Sequence, residues 1–229
     1  MSAADPKYSR GVGIPVTVVD LGLGNLGSVL EGLKRAGGAP VLSANPREIA
    51  GARRVLLPGV AAFGLGMERA GQVGLRPALL AALDRGAPVL GICLGMQILF
   101  DEGDEDGTQA GLGLLPGRVT RLPLEVPQPH IGWQRLIAVR PSPLLPAWPA
   151  VAPSGAEPWA YFAHSYRCEA PEEVTCAVVE HGAAGLPPLR IAAVVSRGTL
   201  HGAQFHPEKS SHGGSELLAR FLALPEGAA

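Results

Sequence analysis

The sequence predicts an α/β fold built around a mainly parallel sheet. Short apolar runs rich in β-branched residues alternate with segments whose apolar residues recur at helical spacing, which is the pattern of βαβ units. Hydrophobic residues make up 47% and charged residues 17% of the 229 residues, so one packed domain is expected despite 31 glycines and 22 prolines. We expect residues 14–229 to form this domain behind a flexible leader, residues 1–13.

The first half of the chain contains the clearest alternation. Ile14–Val19 is an apolar, β-branched run that predicts a buried strand. Apolar residues at positions 26, 29, 30 and 33 then predict one face of a helix, which Gly37-Gly38 ends. Further strands are predicted near Pro40–Leu42, at Arg54–Leu57 and at Ala87–Ile92, and further helices at Phe63–Ala70 and Leu75–Arg85.

Short strands dominate the second half. The Pro-rich segment Pro141–Pro158 is predicted to be a surface loop or insertion. The last two strands are expected to pair antiparallel across Arg197-Gly198, and a closing helix is expected at about Gly213–Leu224, with Ser211 or His212 near its cap. The predicted strands are Arg118–Leu122, Gln134–Val139, Trp159–Phe162, Val174–Val179, Ile191–Ser196 and Leu200–Phe205.

Charge and cysteine content exclude several classes of function. Lys and Arg (19) balance Asp and Glu (20), and no basic run exceeds two residues, so we expect no nucleic-acid or anionic-membrane partner. No signal-peptide pattern and no apolar stretch of membrane-spanning length is present, which favours a cytosolic protein. The three cysteines lack metal-type spacing, and we expect no disulfide framework, metal or cofactor.

The strongest chemical signal is a cysteine between two glycines, where a predicted strand passes into a helical pattern. Gly91-Ile92-Cys93-Leu94-Gly95 has the pattern of a nucleophile elbow, because glycines on both sides permit a sharp turn. The following helix N-terminus would favour a thiolate, and the Leu94 amide would face an oxyanion on an attacked carbonyl. A lone cysteine is more often a small buried hydrophobe, which is our interpretation of Cys168 and Cys176.

A thiolate nucleophile needs a base that also protonates the leaving amine. Of the six histidines, His206 is the best candidate, because it ends a predicted strand and precedes Pro207. In an extended segment residues i and i+2 point the same way, so Glu208 would reach the far nitrogen of His206 and orient the ring. A histidine before proline is more often a loop or core residue, but the spaced carboxylate and the separate nucleophile favour a Cys93–His206–Glu208 triad.

A second oxyanion donor is expected from the turn that closes another strand. Pro58-Gly59-Val60 follows a predicted strand at the carboxyl edge of the sheet, so the backbone amide of Val60 would complete the oxyanion hole with that of Leu94. An ordinary Pro-Gly turn explains this segment equally well.

Together, Gly91–Gln97 and Gln204–Glu208 resemble the class I glutamine amidotransferases, whose nucleophile is cysteine and whose base and orienting acid lie in a His-Pro-Glu segment. The resemblance covers roughly residues 14–223. Further segments resemble, within that family, the glutaminase subunits of imidazole glycerol phosphate synthase, an enzyme of histidine biosynthesis. These segments are Gly24–Val29, His130–Trp133, Tyr161–Tyr166 and Glu208–Ser211.

The resemblance implies a flavodoxin-like sheet with helices on both faces. It also implies hydrolysis of glutamine through a thioester, and delivery of the ammonia to a (β/α)8 cyclase subunit in a heterodimer. It places Asn25 and Lys209 near that subunit interface, although the residues alone are equally consistent with a helix cap and a solvated lysine. Contacts with glutamine are expected from Gly59, Gln97, Glu105, His164, Ser165 and Tyr166.

Two positions depart from the family pattern, and two alternatives remain. Ala61 stands where glycine is usual, so its methyl group would crowd glutamine or restrict the oxyanion strand, and Gln134 stands where asparagine is usual. One alternative is the glutaminase of another pathway, such as anthranilate or CTP synthesis, against which Gly24–Val29 and His130–Trp133 argue. The other is a non-catalytic regulatory subunit, against which the intact Cys, His and Glu set argues.

Overall fold

The structure, a computed structural model, describes residues 13–146, 158–182, 185 and 187–227. Within these residues the chain forms three sheets and six α-helices. The strands are β1 (Ile14–Val19), β2 (Gly38–Ser43), β3 (Val55–Leu57), β4 (Val89–Ile92), β5 (Phe100–Gly103), β6 (Gln109–Ala110), β7 (Leu115–Arg121), β8 (His130–Arg135), β9 (Ile137–Ala138), β10 (Trp159–His164), β11 (Tyr166–Glu169), β12 (Thr175–His181), β13 (Leu189–Arg197) and β14 (Leu200–Ala203). The helices are α1 (Leu26–Arg35), α2 (Pro46–Gly51), α3 (Phe63–Gln72), α4 (Leu75–Asp84), α5 (Leu94–Gln97) and α6 (Ser211–Ala223).

The main sheet has eight strands in the order β2-β1-β3-β4-β14-β13-β12-β9. The first five strands of that order are parallel, and the remaining pairs are antiparallel. The order 2-1-3-4 followed by one further parallel strand is that of a flavodoxin-like sheet. The predicted fold class is therefore confirmed, as is the antiparallel pairing across Arg197-Gly198.

Helices cover both faces of this sheet. Alternate residues of β3 separate the two cores: Leu56 packs in the core that contains α1 and α6, whereas Val55 and Leu57 pack in the core that contains α2, α3 and α4. This alternation follows from the two-residue period of a strand, which sends successive side chains to opposite faces. Because both faces are covered, β3 and β4 are apolar along their whole length.

Two smaller sheets lie beside the main one. A four-stranded sheet has the order β11-β7-β5-β6, and a two-stranded sheet pairs β8 with β10. The sequence analysis did not predict β5, β6, β11 or α2, although α2 carries a recognisable start signal, with Asn45 as its cap and Pro46 at its first position.

Several predicted boundaries were wrong. The helix after Cys93 is a single turn, because the buried residues Leu99 and Phe100 leave it to enter the four-stranded sheet. The predicted strand Gln134–Val139 is divided between β8 and β9 at Leu136, whose amide donates to the Pro158 carbonyl. The strand predicted to end at Phe205 ends at Ala203, and the cap of α6 is Ser210.

The Pro-rich segment is only partly described. Residues 141–146 do not form a purely solvated loop, because the apolar side chains of Leu144 and Leu145 are buried in the core. Residues 147–157 lie outside the described residues, as do residues 1–12 of the predicted leader, so the single-domain boundaries stay predictions. Among the residues described, no helix combines the length and apolarity needed to cross a membrane.

Gly95 provides a test of the packing beneath the elbow. A Cβ atom at this position would overlap the Leu57 carbonyl oxygen at the end of β3. Since both groups are backbone, neither can turn aside, and we expect Gly95→Ala to lower the free energy of unfolding by about 3 kcal/mol or more in urea denaturation.

Gly71→Ala in α3 is the matched control for this substitution. Nothing lies within 4 Å of a Cβ atom there, so the same methyl group is expected to stabilise the helix by up to about 1 kcal/mol. Equal unfolding midpoints for the two variants would contradict the packing described here.

Candidate active site

Cys93 lies at a sharp turn between β4 and α5. Its backbone has φ 54° and ψ −113°, which non-glycine residues rarely adopt. The turn is held by backbone hydrogen bonds, in which the Cys93 amide donates to Ala203 O at 2.8 Å and the Cys93 carbonyl accepts from the Met96 and Gln97 amides at 3.0 Å. The predicted strand-to-helix turn is therefore present, at the carboxyl edge of the parallel strands.

The glycines around Cys93 are required by close packing as well as by the turn. A Cβ atom at Gly91 would lie 2.5 Å from the Gly95 carbonyl oxygen, and Gly95 itself abuts β3. The two glycines thus allow the chain to fold back on itself within one turn, which raises Cys93 above the sheet edge.

His206 is brought next to Cys93 by the segment that follows β14. Since β14 pairs parallel with β4, with Ala203 opposite Ile92, the residues beyond both strands emerge at the same edge. The side chain of His206 lies near enough to Cys93 for that residue to raise its pKa, and its Nδ1 lies 3.0 Å from Glu208 Oε1. Because Glu208 occupies Nδ1, Nε2 is the nitrogen left for the sulfur.

Opposing effects set the charge of His206. Burial on its own would lower its pKa, but hydrogen bonds to Cys93 and Glu208, and the negative charges of these groups, raise the pKa to about 9. The imidazolium form is therefore expected at neutral pH. A cationic imidazole next to a thiol is the environment that sustains a reactive thiolate.

Glu208 is fixed from several sides. Its side chain is 4% exposed, and it packs closely on α1, where a Cβ atom at Gly32 would lie 3.0 Å from Glu208 Cβ. Arg35 Nη2 lies 3.5 Å from the Glu208 carbonyl oxygen. Among the described residues Glu208 Oε2 is buried without a hydrogen-bond partner, so the imidazole is the main group that compensates this carboxylate.

Ser210 connects the His206 segment to β10. Its hydroxyl donates to the His206 carbonyl at 2.6 Å and accepts from the Tyr161 amide at 2.9 Å. The His206 amide in turn donates to Tyr161 O at 3.0 Å. Ser210 is 1% exposed, so these bonds are shielded from water and hold the backbone on either side of the imidazole.

A cavity of about 300 Å³ adjoins Cys93. Most of the predicted oxyanion and glutamine-binding residues line it together: Val60, Leu94, Gln97, Glu105, His164, Ser165 and Tyr166. Gly59 is not among the lining residues, and packs instead against Leu94, whose side chain lies 3.2 Å from the position of a Cβ atom at Gly59. Ala61 also lines the cavity, so its methyl group, which the glycine usual at this position lacks, lies next to the expected glutamine site.

The backbone amides predicted to form the oxyanion hole have no hydrogen-bond acceptor among the described protein groups. Among the described residues, the backbone amides of Val60 and Leu94 donate a hydrogen bond to no protein group. Both residues border the cavity next to Cys93. Unpaired amides beside a nucleophile are the groups that stabilise a developing oxyanion.

The polar side chains of the cavity are only partly available to a ligand. Glu105 Oε2 accepts from the Phe63 amide at 2.6 Å and so caps α3, which leaves its other oxygen. The Nε2 group of Gln97 donates to Tyr166 O and to Gln204 Oε1, both at 3.1 Å. These contacts fix the lining residues relative to one another.

His164 lines the cavity, but both of its ring nitrogens are engaged. Its Nδ1 donates to Tyr166 O at 2.8 Å, and its Nε2 lies 3.1 Å from Nδ1 of His130. Burial lowers the pKa of His164 to about 4, although the bond to the Tyr166 backbone opposes this shift. The neutral ring therefore accepts from His130 at Nε2, and His164 holds Tyr166 in place rather than offering a free donor.

Gln204 is a site residue for which the sequence analysis predicted no role. It is fully buried, its Nε2 lies 3.9 Å from Cys93 Sγ, and its Oε1 accepts from Gln97 and, at 3.9 Å, from Cys168 Sγ. The sequence did carry a signal for this role: Gln204 precedes His206 by two residues, so the two side chains lie on the same face of an extended segment.

The two residues expected near a subunit interface lie outside the cavity lining. Asn25 caps α1, with its side-chain oxygen accepting from the Ser28 amide at 3.3 Å. Lys209 is exposed on the 3₁₀ turn Pro207–Lys209 and forms no ion pair within the part of the chain that is described. Gln134 also lies outside the lining, and its Nε2 donates to the Glu180 carbonyl. No group of three or more His, Cys, Asp or Glu side chains among the described residues is placed to hold a metal ion.

Comparisons with known proteins identify the family of this chain. The family model "Glutamine amidotransferase class-I" matches residues 18–224. Among curated proteins, the chain is 44% identical over 207 residues to "Imidazole glycerol phosphate synthase subunit HisH" of Symbiobacterium thermophilum, covering 90% of this chain and 92% of the relative. It is 43% identical to the protein of the same name from Moorella thermoacetica, covering 92% and 95%.

Solved structures share the fold at lower identity. A structure titled "Crystal structure of glutamine amidotransferase" has a TM-score of 0.65 at 21% identity, and covers 92% of this chain and 97% of that one. The "Structure of PurLQS from Thermotoga maritima" has a TM-score of 0.68 at 20% identity, and covers 92% and 98%.

The raised pKa of His206 gives a direct test. We expect NMR titration of the histidine side chains to show His206 protonated up to about pH 9, whereas His130 and His164, which burial keeps neutral, have pKa values of about 3 and 4. Glu208→Gln removes one of the groups that raise the value and should lower the pKa of His206.

The sign of the linked stability follows from the same shift. The folded-state pKa of His206 lies above its unfolded value, so protonation stabilises the fold fully below about pH 6.5, and this contribution is lost as the pH rises through about 9. Chemical denaturation at several pH values measures it against Glu208→Gln, in which the loss should be smaller. An unchanged titration of His206 in that variant would contradict the proposed contact.

Proposed function

The chain belongs to the class I glutamine amidotransferases and, within them, to the HisH subunits of imidazole glycerol phosphate synthase, and we propose that Cys93, His206 and Glu208 are its glutaminase machinery. The observation that carries this proposal is the position of the His206 ring, which lies between Cys93, whose proximity raises its pKa, and the Glu208 carboxylate, 3.0 Å from its Nδ1. Nucleophile, base and orienting acid are thus in contact in the order that acyl transfer requires.

The first step forms a thioester. The Cys93 thiolate attacks the side-chain amide carbon of glutamine, and the amides of Leu94 and Val60 stabilise the resulting oxyanion. The proton on His206 Nε2 then passes to the amide nitrogen, so that ammonia leaves when the carbon–nitrogen bond breaks. The products of this step are a γ-glutamyl thioester on Cys93 and a neutral His206.

The second step returns the enzyme to its starting state. His206 Nε2 takes a proton from a water molecule, whose oxygen attacks the thioester carbon. The carbon–sulfur bond breaks, glutamate is released, and the thiolate again faces an imidazolium. Glu208 stabilises that cation throughout, which is why its buried position matters.

The cavity next to Cys93 supplies the groups that glutamine needs. The free oxygen of Glu105 suits the α-ammonium group, and Ser165 together with the backbone near Tyr166 suits the polar remainder of the substrate. Gln97, held between Tyr166 and Gln204, sets the shape of the wall next to the thiol.

We further propose that the ammonia passes to a (β/α)8 cyclase subunit in a heterodimer. The curated relatives are named as subunits, which supports a partner. Exposed apolar residues lie beside the cavity, since Ile131 lines it and is 62% exposed, and Trp133 on the same strand is 48% exposed. We place the partner at these residues and at the exposed Asn25 and Lys209, and we place the complex in the cytosol, where free thiols persist.

Substitution of the nucleophile separates ammonia production from ammonia use. In the complex with the cyclase subunit, Cys93→Ala should reduce glutamine-dependent synthesis by at least about 10³-fold and leave synthesis from ammonium salts unchanged. Cys176→Ala, at a buried cysteine outside the cavity, is the control and should retain both activities. Glutamine-dependent turnover by Cys93→Ala would show that another group is the nucleophile.

Glu105 tests the substrate contacts. Glu105→Gln keeps an acceptor for the Phe63 amide but removes the negative charge, so we expect KM for glutamine to rise about tenfold with a much smaller effect on kcat. Glu102→Gln on β5, three residues before Glu105 and outside the cavity, is the matched control. Steady-state glutaminase kinetics measure both, and an unchanged KM for Glu105→Gln would remove this residue from the ammonium site.

A further inference from the structure

A second and larger cavity lies farther along β11 than the glutaminase cavity. Its volume is about 720 Å³, and residues of the four-stranded sheet and of the antiparallel end of the main sheet form its walls. Tyr166, the first residue of β11, lines the glutaminase cavity, whereas Arg167 and Cys168 line this one. The two cavities share no lining residue, and the proposed triad does not border the second.

The floor of this cavity is apolar. Cys168, Val178 and Ala192 line it and are 3%, 7% and 7% exposed. A volume of several hundred Å³ over an apolar floor, with a few charged groups above it, is typical of sites that bind small organic molecules.

Three arginines from three different elements surround that floor, and we call this feature the arginine cavity. Arg140 follows β9, Arg167 belongs to β11 and Arg190 to β13. Arg190 is exposed, and its side chain forms no ion pair or hydrogen bond among the described residues, even with Glu180, its cross-strand neighbour. Arg140 donates only to the backbone carbonyls of Glu172 and Glu173, so no carboxylate neutralises its charge.

The carboxylates of the cavity do not cancel these cations. Glu169 is shared between two arginines, since it accepts from Arg118 and from Arg167, each at 2.8 Å. The hydrogen bond from Arg118 is the main reason why the pKa of Glu169 is lowered, so this group is an already paired anion. Glu172 lies exposed and its side chain has no partner among the described residues. A surplus of positive charge therefore remains, centred on Arg190 and Arg140.

We propose that the arginine cavity binds an organic anion, a small molecule whose apolar body covers Cys168, Val178 and Ala192 and whose carboxylate, phosphate or sulfonate group pairs with Arg190 and its neighbours. A guanidinium group suits such oxyanions because its fixed N–H groups donate in parallel to two oxygens. None of Cys93, His206 and Glu208 lines this site, and Cys168 in its floor reaches Cys93 only through Gln204.

Fluorescence titration of the full chain with 8-anilinonaphthalene-1-sulfonate tests the site, because this probe combines an apolar body with one anionic group. We expect saturable binding of one molecule per chain that saturating glutamine does not displace. The neutral analogue N-phenyl-1-naphthylamine should bind about tenfold more weakly or worse, since it lacks the charge-assisted hydrogen bonds. Displacement of the probe by glutamine, or equal affinity for the neutral analogue, overturns the proposal.

Two single substitutions of opposite sign locate the probe. Arg190→Gln should weaken its binding about tenfold, whereas Glu172→Gln should strengthen it severalfold by removing an unpaired negative charge. Both residues are exposed and their side chains make no hydrogen bonds among the described residues, so neither change should disturb folding. Arg47→Gln on α2, another exposed arginine outside both cavities, is the matched control. The proposal fails if Arg190→Gln and Glu172→Gln both leave Kd at the control value.

Discussion

The parallel pairing of β4 with β14 is the constraint on which the rest of the site depends. Ala203 lies opposite Ile92, so the next residues of both strands leave the sheet at one edge, and Cys93 is bonded through its amide to Ala203. A shift of one residue in that register would turn Cys93 and His206 to opposite faces. The long-range pairing of β4 with β14 thus sets how far Cys93 and His206 lie from each other.

Local signals predicted the turn at Cys93 and the contact of His206 with Glu208 better than they predicted the architecture around them. Each of the two motifs is local in sequence: the glycines flank Cys93 within two residues, and Glu208 follows His206 by two. The geometry of each motif therefore follows from short-range rules. The single-turn α5 and the strand β5 could not be predicted in this way. Both depend on the pairing of Phe100 with β7, a strand that comes later in the chain.

Buried polar contacts were the least predictable part of the site. Gln204 and Cys168 meet only because the residue that follows β14 approaches β11 in the fold, and the carbonyl of Tyr166 determines which ring nitrogen of His164 is left to accept from His130. The alternation of side chains along an extended segment predicts the face on which Gln204 lies, but no local pattern predicts its hydrogen-bond partners. Such contacts link segments distant in sequence, and a single sequence offers no measure of that proximity.

No strand pairing joins the small sheet of β8 and β10 to either larger sheet in the described structure, yet both backbone groups of Tyr161 are hydrogen-bonded to the segment that carries the His206 imidazole. The backbone of His206 therefore has little positional freedom of its own. Trp133, which is 48% exposed on β8, is the cross-strand partner of Tyr161, so a single residue pair separates this exposed aromatic surface from the backbone that carries the imidazole.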